Sequence, residues 1–126
     1  MGEGVRYRSI DHVRLGVPPG ELARAVAFYA DVLGLREVPR PAESGSGEGA
    51  WLADGDVQVH LGADEGFAPA PKAHPAFRVD GFDALVARCA AAGALVSEAA
   101  PLGGRRRAHL RDPFGNRIEL VEDGSP

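Results

Sequence analysis

The chain has little cysteine, little lysine and no long apolar segment. Cys89 is its one cysteine among 126 residues, which excludes an internal disulfide framework. Without a long apolar run, neither a secretory signal nor a transmembrane helix is expected. A formal net charge of -4 gives no reason to expect nucleic-acid or membrane binding. These features favour a single compact cytoplasmic domain.

One pattern of hydrophobic residues is present twice. Each copy begins with a strand of alternating apolar and polar side chains, continues with an amphipathic helix and ends with three further strands. The predicted strands are residues 10–17, 35–39, 50–53, 56–61, 74–79, 95–98, 105–111 and 117–122, and the predicted helices are 21–33 and 83–92. Asp83 is the predicted N-cap of the second helix. The chain is thus predicted to contain two βαβββ modules, residues 9–62 and 74–122, with a linker at 63–73.

Four residues that could bind a metal occupy matched places in the two modules. His12 and His74 each precede the acidic residue that opens the following helix by nine positions. His60 and Glu119 fall in the last strand of each module. Because successive strand residues alternate between faces, all four are predicted to lie opposite the apolar core. Imidazole and carboxylate groups bind zinc, iron, manganese, cobalt or nickel, so the four would form a divalent metal site if the two sheets pair.

Other polar side chains share strand faces with these four residues and are predicted to line the same cup. Arginine there would suit a carboxylate, enediolate or phosphonate through charge-assisted hydrogen bonds, and a solvated sheet surface is the alternative interpretation. A histidine there would be a proton shuttle or, again, strand surface. The candidate substrate-binding residues are Arg14, Gln58, Arg78, Arg117 and His109. Asp112 and Asn116 belong to the turn before the last strand and are interpreted as structural.

Five segments resemble the vicinal oxygen chelate superfamily, which includes glyoxalase I, bleomycin-resistance proteins and extradiol dioxygenases. They are IDHVRLGV, AFYADVLGL, VQVHLG, HPAFRV and RDPFGNRIEL, and the similarity covers roughly residues 9–122. The resemblance implies an α+β fold in which tandem βαβββ modules form a curved eight-stranded mixed sheet with the helices on its outer face. The cup of that sheet would hold a divalent metal that chelates two neighbouring oxygens of a small substrate.

His12, His60, His74 and Glu119 stand at the positions from which members of this superfamily draw their metal ligands. Glyoxalase I uses His, Glu, His and Glu, so His60 here replaces a carboxylate. The resemblance implies a lyase or isomerase in which zinc, nickel, cobalt, manganese or iron stabilises an enediolate, with Glu119 or His60 as the catalytic base.

Two alternatives follow from the same resemblance, and a third, an accessory module, is left open by the sequence. A bleomycin-resistance-type protein would sequester a ligand without catalysis. An extradiol-type dioxygenase would use two histidines and one carboxylate. An accessory metal-binding module would work with another chain. Members of the superfamily are commonly dimers, so a homodimer is expected, with the cleft formed within one chain or across two.

Overall fold

A computed structural model describes residues 4–45 and 47–124, and the order of elements within them confirms the two βαβββ repeats. The first repeat contains β1 (Val13–Val17), α1 (Leu22–Ala27), β2 (Arg36–Val38), β3 (Gly49–Asp54) and β4 (Val57–Ala63). The second contains β5 (Ala76–Val79), α2 (Phe82–Ala91), β6 (Ser97–Leu102), β7 (Arg105–Arg111) and β8 (Arg117–Glu122). None of the helices described is long and apolar enough to cross a membrane.

Each repeat forms its own four-stranded mixed sheet, with strand orders β1-β4-β3-β2 and β5-β8-β7-β6. The first strand of each repeat lies parallel to the last, so Val13 is opposite Val59 and Ala76 is opposite Glu119. The other neighbours are antiparallel. No ladder of hydrogen bonds joins the two sheets within the described residues, so the eight expected strands are divided between two sheets.

One core of apolar side chains lies against the inner sides of both sheets. Val59 and Leu61 of β4 are buried there together with Ile118 and Leu120 of β8. The helices contribute side chains to the same cluster, and Cys89 is among them, fully buried. The intervening strand residues face the other way, as alternation predicts. We call that opposite side of each sheet its cup face.

The first helix departs from the prediction over residues 21–33. Its α-helical part ends at Ala27 and continues as a π-helical segment, Phe28–Val32. The backbone N–H of Leu33 donates to the carbonyl of Phe28, five residues earlier, which is the π-helical pattern. The apolar residues of this segment recur every three or four positions, which fits an α-helix and did not indicate this change of pitch.

Asp83 is not the N-cap of α2, and that prediction was wrong. Gly81 occupies the N-cap position with a φ of 71°, a left-handed conformation that favours glycine. The Asp83 carboxylate instead accepts a hydrogen bond of 3.0 Å from the Arg106 guanidinium. Asp83 still places a negative charge in the first turn of the helix, where the helix dipole favours one.

A buried hydrogen-bond network joins the two repeats, and we call it the Asp112 junction. The Asp112 carboxylate, 4% exposed, accepts hydrogen bonds from the Tyr29 hydroxyl at 2.7 Å and from the Asn116 side-chain amide at 2.9 Å. The backbone N–H groups of Phe114 and Asn116 donate to its other oxygen. The Asn116 amide also donates to the Gly16 carbonyl at 2.8 Å. Burial, reinforced by Asp112, raises the pKa of Tyr29 well above its usual value, so the phenol remains a donor.

Candidate functional site

Three side chains that can bind a metal meet on the cup face of the second sheet. Glu119 of β8 lies opposite His109 of β7, and His74 approaches from just before β5. Oε1 of Glu119 lies 2.9 Å from Nε2 of His74 and 3.2 Å from Nε2 of His109. The ligand atoms of all three residues lie within 4.8 Å of one another. Two imidazoles and one carboxylate form a donor set that binds first-row transition metals with positions left open. We call these three residues the His-His-Glu cluster.

The surroundings of the cluster orient its histidine and keep its carboxylate charged. Nδ1 of His74 lies 2.6 Å from the Lys72 carbonyl oxygen, which can only accept, so Nδ1 carries the proton and Nε2 faces Glu119. Burial opposes ionisation of Glu119, but its contacts with His74, His109 and Arg107 outweigh it and lower the pKa of the carboxyl. A metal ligand must be deprotonated, and Glu119 meets that condition at neutral pH.

The other two predicted ligands belong to an aromatic stack on the cup face of the first sheet. Trp51 and His60 are cross-strand partners whose ring centroids lie 3.8 Å apart at an interplanar angle of 3°. The His12 ring stacks on the other side of His60 at 4.0 Å and 18°. Nε2 of His60 lies 2.6 Å from the Gln58 side-chain oxygen, and Nδ1 of His12 lies 2.8 Å from the Asp11 carboxylate. Burial, with a smaller effect from His12, lowers the pKa of His60.

The four predicted metal ligands therefore form two pairs, His12 with His60 and His74 with Glu119. A cavity of about 160 Å³ lies between the two repeats, lined by His12 and Gln58 of the first and by Pro75 and Ala76 of the second. Ala76 is the cross-strand partner of Glu119. Among the four predicted ligands, His12 is the one that lines this cavity, and its ring contacts His60.

His109 is the member of the cluster that was not predicted as a ligand. A signal for it was present in the sequence. Arg111 and Arg117 lie opposite each other across the turn between β7 and β8, so counting outward from that turn places His109 opposite Glu119.

Some of the predicted substrate-binding residues already have hydrogen-bond or ion-pair partners within the protein, and others do not. The Arg14 guanidinium donates to both carboxylate oxygens of Asp64, at 2.9 and 3.1 Å, which raises the pKa of Arg14. Nε of Arg78 lies 3.8 Å from the Asp123 carboxylate, and Gln58 is bonded to His60. Arg117 is half-buried, and its guanidinium makes no hydrogen bond or ion pair with any residue that the structure describes.

Three glycines form a row across the first sheet beside the aromatic stack. Gly16, Gly62 and Gly49 are consecutive cross-strand partners on β1, β4 and β3. The Arg14 guanidinium lies over Gly62, in the space that a β-carbon would occupy, and the Asp64 carboxylate lies in the same way over Gly16. We call this set the glycine row. It allows a charged pair to lie flat on the sheet, next to the side chains that could contact a ligand.

Comparisons with known proteins agree with this architecture. A family model described as the Glyoxalase/Bleomycin resistance protein/Dioxygenase superfamily matches residues 9–120. The solved structure of a protein from Bacillus anthracis, described as a glyoxalase family protein, is 36% identical, with a TM-score of 0.86 over 94% of this chain and 97% of that chain. No curated protein is significantly similar in sequence.

Two further solved structures are similar to this chain. TnmS3, an antibiotic binding protein from Streptomyces sp. CB03234, is 26% identical, with a TM-score of 0.68 over 92% of this chain and 98% of that chain. The fosfomycin resistance protein FosX from Listeria monocytogenes is 17% identical, with a TM-score of 0.71 over 96% of this chain and 94% of that chain. At that identity the likeness to FosX shows the fold alone.

Proposed function

Because the chain belongs to the glyoxalase, bleomycin resistance protein and dioxygenase superfamily, we propose that it is a divalent-metal-dependent enzyme of the glyoxalase type. Its substrate would be a small molecule with two neighbouring oxygens. The observation that supports the proposal is the convergence of His74, His109 and Glu119 within 4.8 Å. Family membership alone does not decide the reaction, since one fold supports many functions.

The donor groups of the cluster fit a divalent transition metal. Nε2 of His74 is held in position by the Lys72 carbonyl, and Glu119 is buried and charged. A bound divalent metal would supply Lewis acidity to a carbonyl or hydroxyl oxygen of the substrate. His74 and Glu119 are the proposed ligands common to the sequence prediction and the cluster. The further ligand is His109, already in the cluster, or His12, which lines the small cavity.

The proposed proton acceptor is one of the two residues predicted from the sequence, Glu119 or His60. Glu119 is occupied by two imidazoles, whereas His60 engages one ring nitrogen with Gln58, and its other ring nitrogen has no hydrogen-bond partner among the described residues and would accept the proton. This arrangement favours His60 as the base and Glu119 as the ligand. The stack on Trp51 would hold the His60 ring in one orientation, as a general base requires.

Metal analysis of the purified protein tests the proposal. We expect about one equivalent of bound metal per chain, and we expect it to be lost in the His74→Ala/Glu119→Gln double variant. Glu65→Gln is a matched control, because Glu65 is exposed and lies in the linker. Stoichiometric metal in the double variant would refute the assignment. Comparing His109→Ala with His12→Ala then identifies the further ligand, as the variant with the larger loss of metal affinity.

A second candidate function is ligand sequestration without catalysis. The aromatic stack favours it, because Trp51 presents a large flat surface on the cup face, and planar ligands bind to such surfaces. The similarity to an antibiotic binding protein points the same way. This function predicts ligand binding that a chelator does not weaken, whereas the enzyme proposal predicts binding that depends on the metal.

The proposed homodimer is tested separately, by sedimentation equilibrium.

A further inference from the structure

Two arginines face each other on the cup face of the second sheet without a carboxylate between them. Arg111 of β7 and Arg117 of β8 are direct cross-strand partners. Arg111 donates to the carbonyl oxygens of Gly115 at 2.9 Å and Pro71 at 3.5 Å, which are neutral, and Arg117 has no polar partner within the described residues. Like charges directly opposite each other on a sheet are destabilising. We call Arg111 and Arg117 the arginine pair.

The arginine pair lies one step from the His-His-Glu cluster on the same face. His109 and Glu119 are the next cross-strand partners along β7 and β8 that point to this side. Two residues along a strand correspond to about 7 Å, within reach of an extended arginine side chain. Arg107 lies on the other side of the cluster, 3.5 Å from Oε2 of Glu119. Positive charge therefore flanks the cluster on both sides, and Glu119 is already engaged by two imidazoles.

We propose that the arginine pair binds an acidic group of the substrate, a carboxylate or a phosphonate, while the substrate's two neighbouring oxygens are held at the His-His-Glu cluster. The inference rests on the proposed function and narrows its substrate class to small anions whose acidic group is separate from the chelated oxygens. A guanidinium matches such oxyanions through paired hydrogen bonds, and the guanidinium of the half-buried Arg117 donates to no other group in the part of the chain that the structure describes. The acidic group would also relieve the repulsion within the pair.

Two 2-hydroxy acids provide a matched pair of probes. Lactate offers only the neighbouring oxygens that a metal chelates, and malate adds a second carboxylate. Calorimetric titration of the metal-loaded protein at low salt should show at least about tenfold tighter binding of malate, the lower limit for one hydrogen bond to a charged group. Arg117→Gln should reduce this preference to within about twofold, and Arg117→Lys should retain part of it, because lysine keeps the charge but not the planar fork.

The control is Arg8→Gln, which makes the same change of charge at an exposed residue of the N-terminal segment. This variant should keep the full preference for malate. Equal binding of malate and lactate by the unaltered protein would overturn the arginine pair as a subsite, and so would a preference that survives in Arg117→Gln. Thermal unfolding of each variant confirms that it is folded before its binding is compared.

A metal-free arm separates failure of this inference from failure of the proposed function. Inorganic phosphate is titrated into protein kept in a chelator, and we expect weak binding that falls with added salt and is lost in Arg117→Gln. If the chain bound no metal but still bound phosphate through Arg117, the proposed function would fail and the anion subsite would stand. If it bound metal but showed no phosphate binding dependent on Arg117, the subsite would fail and the metal centre would stand.

Discussion

Removing the Tyr29 hydroxyl is the sharpest test of how the two repeats are held together. Tyr29 is fully buried, and its hydroxyl donates at 2.7 Å to Asp112, which is itself 4% exposed. Tyr29→Phe keeps the ring and its edge-on contact with Phe28 but leaves a buried carboxylate one donor short. A hydrogen bond to a charged group contributes about 1.5–3 kcal/mol, and the free energy of unfolding should fall by that amount. At about 4 °C per kcal/mol, Tm would fall by about 6–12 °C.

Urea unfolding followed by Trp51 fluorescence measures the change, and Tyr7→Phe is the matched control. Tyr7 is 98% exposed, so loss of its hydroxyl should change the free energy of unfolding by less than about 0.5 kcal/mol. The slope of the transition should be the same in all three proteins, because the surface exposed on unfolding is unchanged. A stability for Tyr29→Phe within about 0.5 kcal/mol of the unaltered protein would refute the role given to the Asp112 junction.

Three further predictions concern the cup and the core. Glu119→Gln should weaken metal binding at least about tenfold, measured by competition with a chromogenic chelator, and unchanged affinity would exclude Glu119 as a ligand. Protonated His60 should quench Trp51, so fluorescence should fall on acidification with a midpoint below pH 6.5, and His60→Gln should abolish this transition. Because the pKa of His60 is lowered on folding, its contribution to stability is present above about pH 6.5 and decreases as the pH falls through the lowered pKa. A midpoint of the fluorescence transition at or above pH 6.5 would contradict the structure. Burial raises the pKa of Cys89, so its thiol should react with a disulfide reagent only after unfolding, and rapid labelling of the native protein would contradict its place in the core.

The order of elements and the facing of strand residues were predictable because both depend on local periodicity. Leu120 enters the core and Glu119 does not, as alternation along β8 requires. Strand ends were less predictable. The first strand was predicted from residue 10, but it begins at Val13, where pairing with β4 begins. Alternation in the sequence predicts which face of the sheet each side chain is on. It does not predict where a strand begins, because that depends on how far the neighbouring strand extends.

Contacts between distant segments were the main part that sequence reasoning could not supply. Arg14 was predicted to meet a substrate, yet its partner is Asp64, fifty positions away in the linker. The stack of His60 on Trp51 depends on the register between two strands, which the apolar pattern alone does not set. The matched positions of the four predicted ligands could be read from the repeat, but their separation into two pairs depends on how the sheets are arranged.

Substitution in the glycine row would change the distribution of charge on the cup face of the first sheet while every charged residue is retained. A methyl group at position 62 would occupy the space now filled by the Arg14 guanidinium, and that group is the end of a flexible side chain. A substitution at position 62 would displace the Arg14 guanidinium from Asp64 and leave the strands in place. The electrostatic character of the first sheet can therefore vary through an uncharged position, so a comparison of binding specificity among relatives should include the residue at position 62 as well as the arginine above it.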